Sequence, residues 1–264
     1  MTHKQAASPL QLAYGEEEFQ FGELYLPDET GPYPVSILIH GGYWRARYGL
    51  DLMNGLAEDL ATRGIAAWNI EYRRVGNSGG GWPGTFEDVA RATDCLARIA
   101  EDYELDVNRV VPIGHSAGGH LAMWLASRPR IPLQSPLAPH EKPLKLRGAI
   151  SLAGVLDLTL AYQLHLSNDA VVGLLGGTPD EVPERYQSAS PIALLPLGLP
   201  QILIHGTADE SVPFEMSQQY AGAARLAGDA IHYIELDAVD HFDVINAGTE
   251  VWKLTVEQLL SLFA

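Results

Sequence analysis

The most reactive grouping in the sequence is a serine flanked by glycines. Gly114-His115-Ser116-Ala117-Gly118 follows the apolar run 109–113 and precedes the helix-like stretch 119–126. Glycines two positions on either side of Ser116 leave no side chain in the way of a sharp backbone reversal. A helix that starts after the turn directs free amide groups and its positive dipole end toward the hydroxyl. This pattern of strand, tight turn and helix predicts that Ser116 is a nucleophile.

A serine hydroxyl is a poor nucleophile unless a base takes its proton and a third group orients that base. In an open α/β sheet, reactive groups gather on loops at the carboxyl ends of the strands. Asp209 follows the strand-like run 201–205, and His241 lies in the loop after the strand-like run 231–236. The chain order serine, aspartate, histidine predicts a catalytic triad of Ser116, Asp209 and His241. Four other aspartates are alternatives for the acid: Asp157, Asp237, Asp240 and Asp243.

The remaining histidines near these segments are predicted to have structural roles. His40 ends a strand-like run, so we expect it to hold the next loop through a hydrogen bond. His205 ends another such run, which suits a packing residue or one that supports a catalytic group. His120 lies one helical turn past Ser116 and is expected to pack, and His232 lies within a predicted strand, so neither is expected to take part directly in the chemistry.

The elements that must position these residues alternate along the chain. From about residue 35 onward, strand-like and helix-like segments follow one another, which predicts a mainly parallel sheet with helices on both faces. The predicted strands are 17–26, 35–40, 65–71, 109–113, 146–152, 201–205 and 231–236. The predicted helices are 50–63, 85–102, 119–126, 158–166, 170–175, 214–226 and 250–263. Residues 154–199 exceed what one crossover helix requires, so they predict a small lid within a single domain of residues 1–264.

Four ordered motifs resemble arylformamidase-like (kynurenine formamidase-like) serine hydrolases. They are His40-Gly41-Gly42-Tyr43-Trp44, the Ser116 turn, residues 205–213 and Asp240-His241-Phe242. The first motif is also similar to the H-G-G-G segment of hormone-sensitive-lipase-type esterases. The resemblance spans residues 35–245 and implies an α/β-hydrolase fold with a central sheet of about eight strands. It also implies cofactor-free acyl transfer through a covalent acyl-enzyme.

The same resemblance implies an oxyanion hole made of the backbone N–H groups of Gly42, Tyr43 and Ala117. The residues themselves agree, because Gly41-Gly42 allows the main chain to approach a tetrahedral intermediate closely. One such donor is typically worth about 2.7 to 4 kcal/mol of transition-state stabilisation.

Aromatic residues near the motifs are candidates for the walls of a substrate pocket. Trp82, in the glycine-rich loop 76–84, is predicted to bind substrate together with Trp44 and Tyr43. The loop lacks the Gly-Lys-Ser/Thr ending of a phosphate-binding loop, so we interpret it as a mobile loop near the site. The modest lid predicts a small, open pocket that suits short acyl groups.

The composition excludes several other classes of protein. The chain has 264 residues, of which 47% are hydrophobic and 19% charged, as expected of one globular α/β domain. With 33 acidic and 17 basic residues the formal net charge is −16, and scattered basic residues make nucleic acid and anionic membranes poor partners. No apolar run approaches the roughly 18 residues that cross a bilayer, and no secretion signal is apparent, which predicts a cytoplasmic protein.

Neither a metal nor a cofactor is predicted. Cys95 is the single cysteine, which excludes a thiolate cluster, and histidine pairs with H-E-x-x-H spacing are absent.

These observations predict a serine hydrolase that cleaves small carboxylic esters or N-formyl amides of aromatic amines, with an arylformamidase-like preference. A general short-chain carboxylesterase is the main alternative. A peptidase is a further one, since the Asp209 and His241 segments also resemble prolyl-oligopeptidase relatives, although those carry a large additional domain. A dienelactone hydrolase would require cysteine in place of Ser116. The rival from another class is a binding module of the same fold without catalysis, for which a homodimer paired through an edge strand is possible.

Overall fold

A computed structural model describes residues 8–264 of the chain. Its eight strands are β1 (Leu10–Ala13), β2 (Phe21–Tyr25), β3 (Tyr33–Ile39), β4 (Ala66–Ile70), β5 (Leu105–His115), β6 (Ala149–Leu152), β7 (Gln201–Gly206) and β8 (Ile231–Leu236). They form one sheet in the order β1-β2-β4-β3-β5-β6-β7-β8. The β1–β2 and β2–β4 pairs are antiparallel, and all other pairs in the sheet are parallel. The predicted α/β-hydrolase arrangement, a mainly parallel sheet of about eight strands, is confirmed.

Helices cover both faces of the sheet. They are α1 (Asn54–Thr62), α2 (Gly84–Ile99), α3 (Ala117–Ser127), α4 (Leu158–Gln163), α5 (Ala170–Leu175), α6 (Pro183–Ala189), α7 (Phe214–Leu226) and α8 (Glu250–Phe263). Short 3-10 turns lie at Leu50–Met53, Arg128–Arg130, Pro191–Leu194 and Asp243–Ile245. Helices α1 and α8 contribute to the core on one face, and α2, α3 and α7 contribute to the core on the other.

The central strands are apolar on both sides because both of their faces are covered. In β3, Val35, Ile37 and Ile39 belong to one core, and Leu38 belongs to the core on the opposite face. Parallel strands buried in this way produce continuous apolar runs, and such runs made β3 and its neighbours predictable. Because these strands are parallel, the loops that follow their carboxyl ends all lie at the same edge of the sheet.

The structure differs from the predictions in places where the pattern is weak. The four-residue strand β1 was not predicted, because it lies at the sheet edge with mostly exposed side chains. Strand β5 begins at Leu105 instead of residue 109, and helix α2 ends at Ile99 instead of residue 102. Helix α6 was also not predicted, because its seven residues are mostly polar.

The segment between β6 and β7 contains α4, α5 and α6 and packs against α3. Trp124 Nε1 donates to Ser188 O at 3.1 Å, and His120 Nε2 donates to Ala189 O at 2.9 Å. Many of its apolar side chains belong to the core on the α3 face. The lid role predicted for residues 154–199 stays a prediction, as does the single domain, whose residues 1–7 lie outside the described residues.

Within residues 8–264, no helix combines the length and the apolar character needed to cross a membrane.

Candidate active site

Ser116 lies on a sharp turn between β5 and α3. Its backbone has φ 54° and ψ −118°, a left-handed region that residues other than glycine rarely occupy. The Ser116 N–H donates to Leu152 O of β6 at 2.8 Å, and the Ser116 carbonyl accepts from His120 N–H at 3.1 Å. The surrounding strands and helix therefore hold the serine in a conformation that it would not adopt by itself.

Two glycines make this turn possible because the backbones around it are in close contact. A Cβ at Gly114 would lie 1.9 Å from Gly118 O, and a Cβ at Gly118 would lie 2.0 Å from Ile39 O. Any side chain at either position would push the start of α3 away from β3 or β5. The glycine spacing that pointed to Ser116 thus follows from strand-to-helix packing.

The loop after β3 runs close beside Ser116. A Cβ at Gly41 would lie only 3.0 Å from Ser116 Cβ. The next three residues, Gly42, Tyr43 and Trp44, have φ values of 106°, 50° and 56°. Two consecutive aromatic residues in this region represent stored backbone strain of the kind that clusters at functional sites.

This loop offers unpaired amide groups. Among the described residues, no acceptor is hydrogen-bonded to the N–H of Gly42, Tyr43 or Ala117. Ala117 is the first residue of α3, so its N–H is one of the free donors at a helix start. These are the three amides that the resemblance implies for an oxyanion hole.

Asp209 and His241 meet after neighbouring strands, β7 and β8. His241 Nδ1 donates to Asp209 Oδ2 at 2.6 Å. The other carboxylate oxygen, Oδ1, accepts the N–H groups of Ser211 and Val212, each at 2.8 Å. Burial alone would raise the pKa of the Asp209 carboxyl, but the hydrogen bonds from His205 and His241 outweigh it and hold the pKa well below its usual value.

The imidazole of His241 has one nitrogen left to accept a proton. Since Nδ1 donates to Asp209, the free nitrogen is Nε2, and it has no hydrogen-bond partner within residues 8–264. Ser116 Oγ likewise has none within that part of the chain. Both residues line the same cavity, so both groups are available to a bound molecule.

This cavity is small. Its volume is about 90 Å³, and its walls are Gly42, Tyr43, Tyr48, Leu52, His115, Ser116, Ser211, His241 and Phe242. A water molecule takes about 30 Å³ of liquid volume, so the space matches a group of only a few heavy atoms. The walls come from the loops that follow β3, β5, β7 and β8, and none of them comes from the β6–β7 segment.

Two wall residues carry polar groups that stay neutral over the ordinary pH range. Burial, helped by the negative Asp209, raises the pKa of Tyr43 to about 12, and its hydroxyl donates to Ser211 O. Burial, helped by the nearby His241, lowers the pKa of His115 to about 3. His115 Nε2 donates to the main-chain oxygen of His241 at 2.8 Å, so His115 fixes the loop that carries His241.

The prediction that Trp44 binds substrate stays a prediction, but the structure places this residue in the core. Trp44 is 1% exposed, does not line the cavity, and its indole Nε1 donates to His120 Nδ1 at 3.2 Å. The positive φ values at residues 43 and 44 turn the ring toward α3 and into the core. His120, predicted to pack, is thus the partner of Trp44.

Trp82 lies next to the segment between β6 and β7. Its ring packs edge-on against Phe86 with centroids 5.8 Å apart, and the Arg185 guanidinium lies 5.7 Å from its centre. The main-chain N–H of Trp82 donates to Leu174 O at 2.8 Å. Trp82 does not line the cavity beside Ser116, and its role in substrate binding stays a prediction.

The other histidines have the structural contacts expected of them. His40 donates from Nδ1 to Gly41 O at 2.8 Å and from Nε2 to Glu71 Oε1 at 2.9 Å. His232 is on the surface beside Gln258, with Nδ1 at 3.0 Å from Oε1. His205 contacts Asp209 through Nε2 at 3.0 Å.

Sequence reasoning did not single out Glu71, Tyr48 or Phe242. Glu71 directly follows β4, so the rule that led to Asp209 also applies to it. Within residues 8–264, no group of three or more His, Cys, Asp or Glu side chains is placed to hold a metal ion.

Comparisons with known proteins identify the family of this chain. The model of the BD-FAE family matches residues 23–223, which is most of the chain. The chain belongs to the BD-FAE family. This BD-FAE member is 28% identical over 244 residues to the probable carboxylic ester hydrolase LipM of Mycobacterium tuberculosis, covering 89% of this chain and 55% of LipM. It is 23% identical over 260 residues to the kynurenine formamidase of Danio rerio, covering 96% of this chain and 81% of that enzyme.

Solved structures share the fold of this family member. A truncated carbohydrate esterase from gut microbiota superimposes with a TM-score of 0.84 at 20% identity, covering 99% of this chain and 98% of that one. The esterase Est2 of Thermogutta terrifontis gives 0.76 at 24% identity, covering 96% and 91%. Among the curated relatives, the chain spans 55% of LipM and 62% of the esterase LipC from the same organism.

Proposed function

We propose that this protein is a serine hydrolase of small carboxylic esters and N-formyl aryl amides, with Ser116, His241 and Asp209 as its catalytic triad. One observation carries the proposal. The Asp209–His241 pair leaves Nε2 free at the same 90 Å³ cavity as the Ser116 hydroxyl, beside three unpaired amide groups.

The mechanism follows from the role that each group can perform. Ser116 Oγ attacks the acyl carbon while His241 Nε2 takes its proton, and Asp209 keeps Nδ1 protonated and stabilises the imidazolium. The carbonyl oxygen becomes an anion that accepts from the N–H groups of Gly42, Tyr43 and Ala117. The tetrahedral intermediate collapses, and the leaving alcohol or amine takes the proton from His241.

The acyl-enzyme is released by the reverse sequence. Water enters the vacated leaving-group side, His241 Nε2 takes one of its protons, and the hydroxide oxygen adds to the acyl carbon. When the second intermediate collapses, Ser116 recovers its proton and the carboxylic acid leaves. No cofactor takes part in this cycle.

The cavity supports short acyl groups. About 90 Å³ beside Tyr48, Leu52 and Phe242 accommodates a formyl, acetyl or propionyl group, and longer chains would extend beyond this space. Relatives named as esterases and as kynurenine formamidase both support this chemistry. A general short-chain carboxylesterase is the second candidate, because Tyr48, Leu52 and Phe242 offer the acyl group apolar and aromatic surface that is not specific for an amide.

The first test is covalent labelling with a fluorophosphonate, comparing the wild-type protein with Ser116→Ala. We expect modification of the wild type at Ser116 and none of the variant. An intact wild-type protein that stays unlabelled would favour the non-catalytic binding module.

The second test separates the two candidates through kcat/KM for N-formylkynurenine, p-nitrophenyl acetate and p-nitrophenyl butyrate. Efficient deformylation supports the arylformamidase-like preference. Ester cleavage without detectable deformylation assigns the protein to the short-chain carboxylesterases.

The cytoplasmic location and the homodimer stay predictions from the sequence. The sheet edges available for such pairing are β1 and β8.

A further inference from the structure

The carboxylate of Asp209 is bound by two histidines. Its Oδ2 accepts from His241 Nδ1 at 2.6 Å and from His205 Nε2 at 3.0 Å. His205 is the fifth residue of β7 and is fully buried, and its Nε2 also lies 3.0 Å from Val212 O. Since both of these partners are acceptors, Nε2 of His205 carries the proton.

Ser217 determines the other nitrogen of His205. Ser217 Oγ lies 2.7 Å from His205 Nδ1 and is hydrogen-bonded to no other group within residues 8–264. If Nδ1 donated to the serine, the buried hydroxyl proton would have no acceptor there, which costs free energy. The hydroxyl therefore donates to Nδ1, and His205 is the neutral tautomer protonated at Nε2.

The result is a chain of groups that runs through the acid of the proposed triad. Ser217 donates a hydrogen bond to His205, His205 donates one to Asp209, and Asp209 accepts one from His241. With Ser211 and Val212 on Oδ1, the carboxylate accepts four hydrogen bonds and cannot rotate without breaking several of them.

We propose that His205 is a positioning residue of the hydrolase: it fixes the rotation of the Asp209 carboxylate and takes up part of its negative charge, and Ser217 holds the tautomer that does so. This inference rests on the proposed function. Its consequence is that the orientation of His241 and the charge that stabilises its imidazolium both depend on a residue that touches no substrate.

The other titratable groups around Asp209 do not replace His205. Tyr43 approaches from the loop after β3 and His115 from the end of β5, and both are neutral, with pKa values of about 12 and about 3 because of burial. Neither donates a hydrogen bond to the carboxylate. His205 and His241 are thus the two side-chain donors to Asp209 within residues 8–264.

The test compares His205→Phe, which removes the donor, with His205→Gln, which can donate to the same oxygen, and with Ser217→Ala. Ser127→Ala is the control, since Ser127 is a buried helix serine whose hydroxyl donates to Trp124 O, away from the triad. For an ester such as p-nitrophenyl acetate, we expect His205→Phe to lower kcat by about ten- to a hundredfold with KM within twofold.

The variants His205→Gln and Ser217→Ala should show smaller losses of kcat than His205→Phe. His205→Gln should recover most of the kcat, and Ser217→Ala should lower it by about three- to tenfold. The acid limb of the kcat/KM profile reports protonation of the catalytic base. It should move to higher pH in His205→Phe, because the carboxylate charge then acts on His241 alone.

Several results would overturn the inference. They are an unmoved acid limb in folded His205→Phe, a kcat loss that His205→Gln does not recover, or a Ser217→Ala variant indistinguishable from Ser127→Ala. Failure of the proposed function looks different, because the wild type itself would then neither turn over the ester nor react with the fluorophosphonate at Ser116.

Discussion

Two histidine–carboxylate pairs lie at the same edge of the sheet. His241 pairs with Asp209 at 2.6 Å after β8 and β7, and His40 pairs with Glu71 at 2.9 Å after β3 and β4. In both, the histidine and the carboxylate follow strands that are neighbours in the sheet. The difference between the pairs lies in the second ring nitrogen.

In His40 both ring nitrogens are occupied. Nδ1 donates to Gly41 O, Nε2 donates to Glu71, and the ring stacks on Tyr72 with centroids 4.3 Å apart. No position remains at which this imidazole could accept a proton from a reactant. His241 has the same kind of carboxylate partner but keeps Nε2 free at a cavity that also holds Ser116.

The second pair is a structural support. Glu71 also accepts the N–H of Leu50 at 3.2 Å and forms an ion pair with Arg74 at 3.3 Å. Arg74 in turn donates to the carbonyl of Tyr48, a wall of the cavity. In the proposed mechanism the Asp209 pair transfers protons, whereas the Glu71 pair holds the loops that carry the cavity wall and the amides proposed for the oxyanion hole.

The largest expected effect comes from replacing His241, the proposed catalytic base. His241→Ala should lower kcat for an activated short-chain ester by roughly 10⁴-fold or more, because the Ser116 proton has no acceptor. His40→Ala, the matched change in the other pair, should lower kcat by only about tenfold, through a less ordered loop. Steady-state kinetics on both variants checks the contrast, and a His241→Ala enzyme within tenfold of wild type would refute it.

The two carboxylates should separate activity from stability. Asp209→Asn should reduce kcat by roughly 10³- to 10⁴-fold, because the amide favours the wrong tautomer of His241. Glu71→Gln should cost about 3 to 5 kcal/mol of unfolding free energy, because it leaves the buried Arg74 without its ion-pair partner. Urea unfolding and kcat are measured for both.

The contrast fails if the two variants behave alike. A Glu71→Gln protein that keeps its stability but loses catalysis to the same extent as Asp209→Asn would make Glu71 part of the chemistry.

These contrasts also show what the sequence could predict. Strand β7 is a continuous buried run and the edge strand β8 is only partly buried, but the ends of both could be located by pattern, and so could Asp209 and His241, which follow them. Glu71 obeys the same rule, but its partner His40 is 31 residues away, and no local spacing marks the pair.

Other features depend on backbone geometry that no residue pattern encodes. Trp44 was expected at the substrate, yet positive φ at Tyr43 and Trp44 directs its ring to His120 in the core. Helix α6 is short and polar, so its sequence pattern does not predict a helix, and packing against α3 stabilises it.

A smaller effect is expected from histidines that have no carboxylate partner. Burial lowers the pKa of His120 to about 4 and that of His115 to about 3, below the ordinary value of 6.5. Between pH 6.5 and 4 these two histidines therefore bind protons in the unfolded chain but not in the folded chain. The unfolding free energy should fall with decreasing pH by about 1.4 kcal/mol per unit for each of the two residues.

His120→Gln isolates one of these contributions. Glutamine can accept from Trp44 Nε1 and donate to Ala189 O as His120 does, but it does not titrate. The slope of unfolding free energy against pH, from urea titrations at several pH values between 6.5 and 4, should become shallower by about 1.4 kcal/mol per unit. An unchanged slope would mean that His120 is protonated in the folded protein.

The smallest effect concerns the cavity wall next to His241. Phe242 is 57% exposed and packs edge-on against the His241 ring with centroids 5.3 Å apart. Phe242→Ala should enlarge the cavity and raise the kcat/KM ratio of p-nitrophenyl butyrate to acetate about fivefold, which corresponds to accommodating one of the two additional methylenes at about 1 kcal/mol. Leu260→Ala is the control, because Leu260 is 49% exposed on α8 and does not line the cavity. If both variants leave the ratio unchanged, the acyl group does not occupy this cavity. The leaving group then occupies it instead, beside the free Nε2 of His241.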